Sequence, residues 1–119
     1  MALEFREDGI CVLDAASCDP DALEDDVFAL QRAGGCRPLL VDLTGAAPDD
    51  GYISLLADCL VDARAVISAL AIAGVGTYDG SRINRVLRRR DFPPALPLHM
   101  GASRAEAAAW LLARCGGKA

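Results

Sequence analysis

The sequence predicts a single α/β domain, residues 1–119, ordered β-β-α-β-α-β-α-β-α, with a mainly parallel mixed sheet packed with helices. Three observations carry that prediction. Residues 39–43 (LLVDL) and 68–75 (SALAIAGV) are short runs with the apolar character of strands buried on both faces of a parallel sheet. Segments with apolar residues at helical spacing separate these runs. Residues that start and stop helices punctuate the boundaries, at Asp19-Pro20, Gly34-Gly35, Asp49-Asp50 and Ser103.

In chain order, residues 3–6 and 10–14 are two apolar runs separated by Glu7-Asp8-Gly9, and Asp-Gly there signals an antiparallel pair at one edge. Asp19 caps a first helix with Pro20 at its first position, running to about Ala33 with Leu23, Val27 and Leu30 inward. Asp21, Glu24, Asp25 and Asp26 suit the positive end of its dipole. The strand at 39–43 delivers the chain through a turn at 44–51 into a second helix with Ile53, Leu56, Ala57 and Leu60 inward. After the strand at 68–75, glycine-rich residues 74–80 (GVGTYDG) read as a loop, and a third helix spans about 81–90. Asp91-Phe92-Pro93-Pro94 ends it, because proline pushes the preceding residue out of the helical region. Residues 96–100 form a last strand. Ser103-x-x-Glu106 is a capping box opening a fourth helix, in which Trp110 is expected to be largely buried, and Gly116-Gly117 closes it.

Length and composition set the class of protein. At 119 residues, 53% apolar and 24% charged, the chain can bury a core and is not of disordered type. No apolar run reaches the ~18 residues of a membrane span, and the charged beginning MALEFREDG has no signal-peptide core, so a cytoplasmic location is expected. Five cysteines without a C-x-x-C pair, beside one histidine, lack zinc-ligand spacing, and no cofactor is expected. The net charge of −5 hides an asymmetry: residues 1–62 hold fourteen acids and three arginines, residues 63–119 nine cations and three acids. Nucleic acid is an unsuitable general partner for an acidic chain, whereas a dipolar chain can steer a charged protein.

The candidate chemistry is sparse. Gly74-x-Gly76 follows a strand, but Asp79 stands where a dinucleotide fingerprint has its third glycine, and an acid there repels a pyrophosphate. His99 has no nucleophile beside it in sequence. Asp42, between Val41 and Leu43, must be paired, and a loop amide is the expected partner. Arg82, Arg85, Arg88, Arg89 and Arg90 concentrate five of twelve cations in nine residues, and Arg82, Arg85 and Arg89 share a face that can be a solvated surface or dock an acidic partner or a lipid headgroup.

Three local patterns point to a family. Residues 40–45 (LVDLTG), the turn Pro48-Asp49-Asp50-Gly51 with Ile53 and Leu55-Leu56, and the ending Pro97-Leu98-His99-Met100 with Arg104-Ala105-Glu106-Ala107 and Ala109-Trp110-Leu111 together resemble the STAS domain of anti-sigma-factor antagonists and its shorter SpoIIAA-like relatives. The resemblance implies a non-enzymatic regulatory domain that binds a protein partner through the 44–52 loop and the start of the second helix, at Thr44, Asp49, Asp50, Gly51, Tyr52 and Ser54. It also leaves open a homodimer. Family members that act as phosphorylation switches carry serine or threonine where this chain has Asp50, so that role does not carry over. Asp49 and Asp50 are expected to cap the second helix, with Asp50 bonded to the amides two or three residues on. The alternative is a small-ligand or lipid carrier with a pocket at the C-terminal ends of the strands.

Overall fold

The computed structural model describes residues 3–116. Its elements are β1 (Leu3–Phe5), β2 (Cys11–Asp14), α1 (Pro20–Ala33), β3 (Arg37–Asp42), α2 (Asp50–Asp62), β4 (Ile67–Ala73), α3 (Thr77–Arg89), β5 (Leu98–Gly101) and α4 (Arg104–Leu111), the last continuing into a wider turn at Leu112–Gly116. The sheet order is β1-β2-β3-β4-β5; β1 and β2 are antiparallel and every later pair is parallel. This is the α/β class and element order that the sequence predicts. Among the described residues no helix is long and apolar enough to cross a membrane.

The strands advance across the sheet one position at a time. Crossovers of one hand then place α1, α2 and α3 on the same face, and α4, which follows the last strand, is free to cover the other. The side chains bear this out by alternation. Leu39, Val41, Leu70 and Ile72 join Leu23, Val27, Leu30, Ile53, Leu56, Leu60, Ile83 and Leu87 in one core. Their neighbours in sequence, Leu40, Ala69, Ala71 and Ala73, face Ala107, Ala108 and Leu111 of α4. The second layer is built largely from alanine, so α4 packs through short side chains and the backbone lies close to the sheet.

Boundaries differ from the sequence reading where one residue type serves two purposes. β3 begins at Arg37, two residues early, with Pro38 beside an irregularity in its pairing with β4, near the start of the strand where a missing donor is tolerated. α3 begins at Thr77, so the loop expected over 74–80 shrinks to three residues. Gly80 lies buried inside the helix against Met100 and does not break it. Asp26, read as one of the acids suited to the positive end of the α1 dipole, is buried at 3% exposure beside Tyr52. Trp110 is half-buried, not enclosed: its ring stacks on His99 at 4.9 Å between centroids, and the Arg114 guanidinium lies over it. The expected closing glycine pair falls partly outside the described residues, at Gly117.

Candidate functional site

The candidate surface is built where β3 ends. Asp42 is 7% exposed, and both carboxylate oxygens are engaged. Oδ1 accepts from the Thr44 amide at 2.9 Å and the Thr44 hydroxyl at 2.6 Å, while Oδ2 accepts from Arg104 Nε at 2.8 Å. Burial pushes the Asp42 pKa up, but the two Thr44 bonds and Arg104 outweigh it, so the carboxyl sits below its ordinary value. The expected bond to a loop amide is present, and Arg104, from the start of α4, is a partner that sequence could not place. Gly74 closes the same corner from β4: its φ is +81°, and a Cβ there would come within 2.4 Å of the Thr44 nitrogen. Only glycine lets the two strand ends approach this closely.

From this anchor the loop exposes Thr44, Gly45, Ala47, Asp49 and Asp50, with Pro48 buried beneath it. Asp49, in extended conformation, caps α2 by accepting from the Tyr52 amide at 2.8 Å. Asp50 is therefore the first helical residue, which corrects the expectation that it supplies the cap. Its side chain is 95% exposed, with one oxygen 2.6 Å from Arg82 Nη2. Tyr52, placed by the sequence reading among the partner-binding residues, turns inward at 5% exposure. Burial first, and the neighbouring thiols and carboxylates after it, push its phenol up to about 12. Tyr52 thus supports the loop from beneath.

The structure brings together two groups of residues that the sequence keeps thirty positions apart. Asp50, Ile53 and Ser54 of α2 and Tyr78, Arg82, Arg85, Val86 and Arg89 of α3 line one surface depression of about 350 Å³. Arg82 holds Asp50 and also Asp79, at 2.8 Å, with Tyr78 beneath its guanidinium. Further along the seam Arg90 pairs with Asp58. Tyr78, 74% exposed, was missed because its segment read as loop. The Asp50 and Asp58 pairings were missed because which arginine meets which helix depends on the crossover geometry.

A second concavity, of about 640 Å³, opens between the outward face of α3 and β5, with Gly76, Ser81, Asn84, Arg88, Leu98, Met100 and Glu106 in its lining. His99 lies on the opposite face of the sheet, stacked on Trp110. Its Nε2 is buried and makes no hydrogen bond, although Glu106 Oε2 is 3.4 Å away. Burial raises the Cys11 and Cys59 thiols to about 11, which keeps both protonated and unreactive at neutral pH. Among the described residues no group of three or more histidine, cysteine, aspartate or glutamate side chains is arranged to hold a metal ion. Comparisons with known protein families, with curated proteins and with solved structures return no match to this chain.

Proposed function

We propose that this chain is a non-enzymatic regulatory domain of the anti-sigma-factor-antagonist type, binding a protein partner through the 44–52 loop and the start of α2. The observation that carries the reading is the contrast between the loop's root and its tip. The root is fixed by Asp42, Thr44 and Gly74. The tip leaves Gly45, Ala47, Asp49, Asp50 and Gly51 exposed beside a helix face rich in arginine. A surface held in one conformation before binding loses little conformational entropy when a partner docks. Position 50 carries a carboxylate and no hydroxyl, so a phosphorylation switch at that position is no part of the proposal.

Affinity capture from a lysate of the source organism tests this reading. Ala47→Arg alters the exposed tip without touching the core, so it should fold normally and retain less of the captured protein. Equal retention by the variant and wild type would remove the loop from the interface.

The carrier reading has one observation in its favour. The concavity between α3 and β5 has the volume of a small-molecule site and runs along β5 to the segments that follow β4 and β5. Its open side and its polar lining of Ser81, Asn84, Arg88 and Glu106 are less suited to enclosing a lipid chain. Native mass spectrometry of the purified protein decides the matter, since a carrier retains a stoichiometric ligand mass.

A further inference from the structure

The seam between α2 and α3 is laced by ion pairs at both ends. Asp50 meets Arg82 near the start of α2, and Asp58 meets Arg90 two turns later. Asp50, Ser54 and Asp58 are spaced i, i+4, i+8 and so lie along one stripe of α2. The middle position of that stripe is Ser54, which carries no charge. Opposite it, Arg85 and Arg89 line the same depression, and neither has an acidic partner among the described residues. Arg85 and Arg89 are themselves i, i+4 neighbours on α3, so two guanidiniums flank a concavity where α2 offers only a hydroxyl. Ile53 and Val86 give the depression an apolar floor, and Tyr78 stands exposed at its margin.

We infer that this depression recognises an acidic side chain of the partner, a glutamate or aspartate that takes the place a carboxylate at position 54 would occupy. The inference rests on the interaction reading above and gives that partner its chemistry. Charge complementarity supports it: the flanking arginines are already neutralised by Asp50, Asp79 and Asp58, while Arg85 and Arg89 are not. Carboxylates bind guanidinium forks through paired hydrogen bonds, and two forks i, i+4 apart can share one acidic side chain. Arg88 lies elsewhere, lining the concavity beside β5. It provides an internal control with the same charge on the same helix.

The test is fluorescence anisotropy with a labelled hexaglutamate peptide at low ionic strength and a hexalysine peptide as control. Wild type should bind hexaglutamate and release it as salt rises. The Arg85→Gln/Arg89→Gln double variant should weaken binding about tenfold or more, whereas Arg88→Gln should stay within about twofold. Ser54→Glu, which supplies the missing carboxylate from α2 itself, should weaken binding as much as the double variant and gives the answer should that variant fail to fold. Absence of hexaglutamate binding by wild type overturns the proposal, as does equal binding by Ser54→Glu. Binding of phosphatidylserine vesicles through Arg85 and Arg89 without peptide binding also overturns it and makes the face a membrane contact. If a captured protein partner binds Arg85→Gln/Arg89→Gln as tightly as wild type but is lost by Ala47→Arg, the acidic-partner inference fails and the loop reading stands.

Discussion

Asp42 ties three elements together through one carboxylate, and its ionisation is therefore coupled to folding. Because Thr44 and Arg104 hold its pKa below the ordinary value, the charged form stabilises the fold above the unfolded value, near pH 4. That contribution is lost as pH falls through the lower folded value. Asp42→Asn should lower stability by about 1–2 kcal/mol at pH 7, in the range of a hydrogen bond to a charged group with a half-exposed partner. Urea midpoints measured from pH 7 to pH 2 should show the gap between wild type and variant narrowing below about pH 4. A gap that stays constant through that range would separate Asp42 ionisation from stability. At the same scale the sequence left an ambiguity between Asp49 and Asp50. Either aspartate can cap a helix, and the one that does is set by where the backbone turns from extended to helical, a matter of one residue that composition does not encode.

The end of α3 shows how an element can be terminated by an imperfect residue. Asp91 adopts φ +60°, its amide donates to the Arg88 carbonyl, and the Phe92 amide donates to Leu87. That is the Schellman pattern of bonds, with aspartate where glycine is the usual choice. Phe92 then turns inward to 1% exposure, a core residue that its position between an acid and two prolines concealed. Asp91→Gly should raise stability by about 0.5–1 kcal/mol by relieving the left-handed conformation, as read by urea unfolding. A loss of stability would mean that the Asp91 side chain makes a contribution beyond its backbone. In α4, half of the expected capping box is formed: Ser103 accepts from the Glu106 amide, but the Glu106 carboxylate accepts from the Ala102 amide and not from that of Ser103. Trp110, being half-buried, should cost about 2 kcal/mol on replacement by alanine, below the 3–5 kcal/mol of an enclosed aromatic. A loss above that range would show the His99–Trp110 stack to be more tightly coupled to the sheet than its exposure suggests.

For the molecule as a whole, the fold was legible because the two central strands are apolar on both faces and every crossover carries a helical pattern. Their register confirms the reading, with Leu39 opposite Leu70 and Val41 opposite Ile72. Glycine caused the main misreading: in segment 74–80 Gly74 is required by its backbone angles, but Gly80 is an ordinary helical residue, and sequence gives both the same letter. The candidate site was legible only as two separate lists, the 44–54 segment and the arginines of α3. Long-range pairing brings them together, and pattern reading does not supply it. The charge asymmetry has a spatial meaning in this light. Glu24 and Asp25 of α1 and Asp62 of α2 line one shallow concavity, while Arg85 and Arg89 of α3, without an acidic partner among the described residues, line another on the far side of α2.

The central claim, that a partner is engaged by the loop after β3 together with the adjoining α2–α3 face, is tested most directly by hydrogen–deuterium exchange. The measurement compares the free chain with its complex with a captured protein. The account predicts slowed exchange in residues 44–54 and in the first two turns of α3, with α1 and β1 unchanged. Protection confined to β5 and the concavity beside it, or to the acidic surface of α1, would contradict it.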